Sequence, residues 1–174
     1  MPTNWSLPQT VIQYSEPGAE DKHISWLDEY DFAALKSKDG KNVRTTKNLL
    51  HIARDPRHDL KDKTYFLRCT GFNFENLPGS ISGIEARISV NRFGRITDDT
   101  IQLCLNEELV GENRATLSLD LIKIFGNEND MWETSLSLSD IQDPTFGVVI
   151  RFQSHPNWPH SSSILIDAVE LRVH

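Results

Sequence analysis

From Ile84 the chain alternates apolar and polar residues: Ile84, Ala86, Ile88 and Val90 interleave with Glu85, Arg87, Ser89 and Asn91. A period of two over eight residues predicts a strand with one face on a core and one face wet. Phe93-Gly94-Arg95 supplies a turn, and Ile101, Leu103 and Leu105 alternate with Thr100, Gln102 and Cys104 beyond it. The pair predicts an antiparallel hairpin, with later strands laid against it. No residue set in it carries chemistry.

Further strand-like runs are Thr10–Tyr14, Thr64–Phe74 broken near Gly71, Leu117–Phe125, Thr145–Phe152 and Ser163–Val173. Thr145–Phe152 is apolar on both faces and reads as a central strand. In Leu117–Phe125 the apolar parity changes at Leu121-Ile122, which predicts a bulge or register shift. Short helical segments are predicted over 28–35 and over 137–141, the second capped by Ser137 or Ser139. Short strands at intervals of about ten residues, separated by Gly, Pro and Asn, predict an all-β antiparallel β-sandwich, and βαβ alternation is absent.

The N-terminal residues 1–20 hold Pro2, Pro8, Pro17 and Gly18 and read as an extended arm, with the sandwich domain occupying 21–174. Trp5 and Leu7 are out of place on a free tail. They anchor the arm on a neighbouring subunit or pack back on the domain.

The 174 residues carry a net charge of −7, which disfavours general nucleic-acid binding. No apolar run reaches the ~18 residues a membrane span needs, and no secretory signal is visible at the start. The charge is uneven. Residues 36–63 hold nine Lys and Arg against four Asp, a net of +5, so the rest carries −12. This stretch reads as a solvated basic insertion or as a patch that meets an acidic neighbour. The second reading makes Lys36, Lys38, Lys41, Arg44, Lys47, Arg54 and Arg57 candidate interface residues.

Cys69 and Cys104 lack metal-binding spacing and read as free thiols, with a cross-strand bridge left open. His51, His58, His155 and His160 do not fall at zinc-ligand spacing. Asp98-Asp99 and 127–130 are oxygen-rich loops, read as Asx turns with calcium as the alternative. Strict alternation puts Asp167 on the apolar face of its strand, where a carboxylate needs a partner. No nucleophile, acid and base converge, so neither catalytic residues nor a cofactor are expected. Trp132 and Trp158 are candidates for a ligand-contact surface, such as a sugar-stacking platform.

An ordered string of short motifs spans residues 63–173. It runs Tyr65-Phe-Leu67 and Thr70-Gly-Phe72, Leu77-Pro78, Ile81-Ser-Gly-Ile-Glu85, Arg95-Ile-Thr-Asp98, Ile101-Gln-Leu103 and Val110-Gly-Glu-Asn-Arg-Ala115. It continues through Phe125-Gly126, Asp130-Met-Trp132, Phe146-Gly-Val148, Ile166-Asp-Ala-Val169 and Val173. Upstream, Trp26 and Asp31 loosely match an opening strand. The string resembles a family of tailed-phage and prophage virion proteins with a β-sandwich, jelly-roll-like domain. The family usually has glycine where this chain has Asn127 and Glu133. The resemblance implies a non-enzymatic structural component of the particle: neck, tail, fibre base or capsid decoration. It also implies a homo-oligomer that contacts copies of itself and other virion proteins, is made in the host cytoplasm and is found in the virion. A receptor- or carbohydrate-binding module is the alternative.

Overall fold

A computed structural model describes residues 1–18, 20, 23–27, 32–37, 41–49, 51–52, 60–117, 120–155 and 160–174. Among these residues the elements are β1 (Thr10–Tyr14), α1 (Ala33–Lys36), β2 (Val43–Arg44), β3 (His51–Ile52), β4 (Leu60–Lys61), β5 (Phe66–Thr70), β6 (Ile84–Phe93), β7 (Ile96–Leu105), β8 (Glu108–Val110), β9 (Ile122–Gly126), α2 (Leu138–Gln142), β10 (Gly147–Ser154) and β11 (Ser163–Val173). They form two packed sheets, ordered β1-β5-β10-β7-β8 and β2-β11-β6-β9, with β3-β4 as a separate pair. All pairings between named strands are antiparallel. The fold is the expected all-β sandwich.

The expected hairpin is corrected. β6 and β7 both form, but each belongs to a different sheet: β6 pairs with β11 and β9, and β7 pairs with β10 and β8. Phe93-Gly94-Arg95 is therefore a corner that carries the chain across the sandwich. Gly94 has φ +84°, and a Cβ there would lie 2.3 Å from Ser162 Oγ. The corner thus needs both the left-handed backbone and the missing side chain. β11 does lie along β6, and β10 along β7, so the later strands are laid against this pair as expected.

The core fills the space between the sheets. Ile84, Ala86 and Ile88 from β6 and Ile166, Val169, Leu171 and Val173 from β11 meet Ile101 and Leu103 from β7 and Val148 and Ile150 from β10. β10 is buried along its whole length in the middle of the five-stranded sheet, as its two apolar faces predict. A pocket of about 20 Å³, room for about one water, lies beside Asp98, Ile101 and Phe152.

Two bulges decide where acids point. The β11–β6 register slips between Ile166 and Ala168, so Asp167 is the extra residue and is exposed. This overturns the buried-carboxylate expectation, because the bulge lets Ile166 and Val169 both turn inward while Asp167 stays out. In the β7–β10 pair Thr100 faces Arg151 and Asp98 faces Phe152, leaving Asp99 as the extra residue. The strand expected over 117–125 begins only at Ile122; Leu117 has φ +55°, and residues 118–119 lie outside the described set. α2 carries the expected cap: Ser137 Oγ accepts from the Asp140 amide, and the Asp140 carboxylate accepts from the Ser137 amide.

Candidate contact surface

Residues 1–14 do not extend as an arm; they close one side of the sandwich. The Thr3 amide donates to Val173 O at 2.8 Å, and the Ser6 amide to Leu171 O at 2.8 Å, along an edge of β11. Pro8 is buried. The chain then crosses to the other sheet, where β1 pairs with β5. Trp5 and Leu7 are half-buried on their own domain, as the second of the two expectations for them has it. The edge of β11 left open beyond the two-residue β2 draws the segment back.

Beneath Trp5 lies a charge lattice on the face that alternation predicts to be wet. Glu170 faces Arg87 and Arg172 faces Glu85 across the β11–β6 ladder. Arg87 Nε donates to Glu170 at 2.7 Å, Arg172 Nε to Glu85 at 2.7 Å, and His174 Nε2 lies 2.8 Å from Glu85. The Trp5 ring caps both guanidinium groups, at 4.3 Å from Arg87 and 4.5 Å from Arg172. Glu85 and Glu170 are buried. Burial raises the Glu85 carboxyl, but His174 and Arg172 outweigh it and hold it below its ordinary range. The signal in the sequence was the opposite-charge alternation of Glu85-Ala-Arg87 and Glu170-Leu-Arg172; only the register joins them.

The outer face of the other sheet carries a second cluster. Arg151 is buried, with Nε 2.6 Å from Asp99 and Nη1 2.7 Å from Glu16. Its guanidinium lies 4.0 Å over the Phe66 ring, and Lys63 reaches Asp99 at 2.9 Å. Burial raises Asp99, but Lys63 and Arg151 together hold it below the ordinary carboxylate range. The hydrogen bond from Arg151 lowers Glu16. Burial lowers His23 in the same corner, with Arg151 adding to it.

Within the basic stretch, β2 pairs with β11, and buried Leu49 exchanges backbone hydrogen bonds with Ser162 at 2.7 and 2.8 Å. Lys36 is half-buried in the last turn of α1. Lys41, Arg44 and Lys47 are exposed around two shallow hollows of about 360 and 440 Å³ that share Leu27, Arg44 and Leu165. No Asp or Glu among the described residues lines either one. Lys38, Arg54 and Arg57 lie outside the described residues.

Trp132 is fully buried, and its Nε1 donates to Ile84 O at 2.8 Å, so it is a core residue and not a sugar platform. Its tight seat explains Phe125-Gly126: a Cβ on Gly126, at φ +78°, would lie 2.2 Å from Ile84 O and 2.8 Å from Trp132 Nε1. Trp158 lies outside the described residues, as do the His51 and His58 side chains. Asp98 and Asp99 lie in β7 and not in a loop, and they and Asp130 accept from backbone amides or from basic side chains. Asp98 accepts from the Thr116 amide at 2.6 Å, Asn127 from the Asn129 amide at 2.8 Å, and Asp130 from the Trp132 amide at 2.8 Å and from Arg114 at 2.7 Å. Among the described residues no three His, Cys, Asp or Glu are grouped to hold a metal.

Comparison of the chain with protein-family models, with curated proteins and with solved structures finds no match in any of the three.

Proposed function

We propose that the protein is a non-enzymatic structural component of a tailed-phage particle that acts through subunit interfaces. The observation that carries this reading is the correspondence between the motif string and the turns of the sandwich. Glu133 stands where the resembled family usually has glycine, and it takes φ +55°, the left-handed conformation that glycine favours. Gly126 and Trp132 of the same string interlock against Ile84. The Glu85–Arg172 and Arg87–Glu170 pairs are cross-strand pairs, a common structural use of charge in a sheet.

On this reading the exposed cations Lys41, Arg44 and Lys47 face an acidic surface of a neighbouring subunit or another virion protein. The alternative, a carbohydrate-binding module, loses Trp132 to the core. Quantitative mass spectrometry of purified particles tests the proposal. The chain is expected at a fixed copy number, roughly six or twelve for a neck or tail ring and hundreds for a capsid surface. Its absence from particles sinks the reading.

A further inference from the structure

Among the described residues β9 ends the four-stranded sheet and pairs only with β6. Ile122 and Ile124 are 67% and 47% exposed on its outer face, and Leu117 and Leu121 just before it are also exposed. Natural edge strands are blunted by proline, by charged side chains, outward or inward, or by bulges. Residues 117–126 contain no proline. Their one lysine, Lys123, alternates to the other face, where it reaches Thr116 and lies 5.1 Å from the centre of the Phe125 ring.

The hydrogen-bond register sharpens this. The Val90 amide donates to Leu121 O at 2.7 Å, and the same ladder pairs Ile88 with Lys123 and Ala86 with Phe125. Bonded and non-bonded pairs alternate along an antiparallel ladder. The backbone groups of Leu121, Lys123 and Phe125 therefore turn toward β6. Those of Ile122 and Ile124 turn toward the open edge. Ile122 and Ile124, with exposed apolar side chains, thus also offer backbone hydrogen bonds to an incoming strand.

We propose that this edge pairs with β9 of a second copy of the chain, about a two-fold axis at Ile124. The occupant must be an extended strand, since only a strand matches the spacing of the open backbone groups. One register pairs the copy's own β9 along all five residues, Ile122–Gly126. Centred on Ile124, each Ile124 exchanges backbone bonds with its counterpart, Ile122 meets Gly126 of the copy, and Lys123 stands opposite Phe125. Centred on Lys123, the pairing would set two lysines directly opposite each other, which is destabilising. The paired sheets continue as one eight-stranded sheet, and the isoleucines of both copies form a single outer apolar strip. The inference rests on the β9 edge alone and holds whether or not the protein belongs to a particle.

The test is sedimentation equilibrium of the full chain from about 1 to about 100 µM, with circular dichroism to check folding. Wild type is expected to dimerise. Ile124→Lys is expected to weaken association by at least about 100-fold while melting normally, because the side chain is half out in solvent. Ile12→Lys, on the edge strand of the other sheet, is expected to leave the dimer intact. Ile124→Cys is expected to give a disulfide-linked dimer on oxidation, since facing Cα atoms of a bonded antiparallel pair lie about 5.5 Å apart. If Ile124→Lys does not fold, the Ile124→Cys cross-link decides. A wild type that stays monomeric throughout overturns the proposal. So does an oligomer that survives Ile124→Lys, or one that Ile124→Cys cannot cross-link.

Discussion

The Trp5 ring lies over the guanidinium of Arg172, 4.5 Å away, and joins the first residues of the chain to the last strand. The same ring covers Arg87, so one side chain shields two of the four charges in the Glu85–Arg172 and Arg87–Glu170 pairs. Trp5→Ala is expected to lower stability by about 2 kcal/mol, from lost apolar burial and lost cation–π attraction. Deleting residues 1–8 is expected to lower it further, because it also removes the bonds of Thr3 and Ser6 to β11. Urea unfolding measures both; a truncated chain as stable as wild type would show that the segment contributes nothing to the fold.

Asp99 and Glu16, held low around Arg151, make the fold acid-sensitive. Their folded-state values are depressed, so their stabilisation is fully present above the unfolded carboxylate range of about 4. It is lost as pH falls through the lower folded values. His23 is also depressed, and the unfolded chain takes up that proton first as pH drops below about 6.5. Melting temperatures from about pH 7 to about pH 3 are expected to fall in two stages. Asp99→Asn is expected to flatten the lower stage and to cost roughly 3 kcal/mol at neutral pH, by leaving buried Arg151 short of a partner.

The two cysteines cannot bridge. Cys69 stands opposite Val148 on one side of β10, and Cys104 opposite Gly147 on the other. Cys69 packs into the inter-sheet core and Cys104 into the outer cluster with Phe66 and Val149. They are two strand spacings apart, roughly 9.6 Å, and point to opposite faces, beyond disulfide reach. Burial pushes the Cys69 thiol up strongly and the Cys104 thiol up to about 12. A thiol reagent is expected to find neither residue in native protein and both in denaturant, with identical melts under oxidising and reducing conditions. Rapid labelling of the native protein would contradict this.

Glu133 stores strain. A residue with a Cβ in the left-handed region pays about 1–2 kcal/mol, which glycine does not. Glycine loses more chain entropy on folding, so the net gain is smaller. Glu133→Gly is expected to stabilise the protein by about 0.5–1 kcal/mol, read as a shift in the denaturation midpoint. A destabilised variant would mean that the Glu133 side chain makes a contact worth more than the strain.

Local pattern alone determined a good deal of this protein. Alternation in 84–90, 101–105 and 163–173, the doubly apolar run in 145–152 and the Ser137 cap each depend on residues a few positions apart, so they are legible in one dimension. So was the sandwich, which follows from short strands with turn residues between them. The tertiary structure decided what those strands do to one another. It placed β6 and β7 in different sheets, because a turn sequence such as Phe93-Gly94-Arg95 serves a corner as well as a hairpin; Ser162, far along the chain, is what presses on Gly94. One extra residue in β11 turned Asp167 out to solvent, since a side-chain period of two reverses with a single bulge. Register, which no local signal encodes, brought Glu85 to Arg172 and Glu170 to Arg87 and seated Trp5 above them. The role of Trp5 depends on which edge of β11 is open, and that is settled only when all the strands are in place.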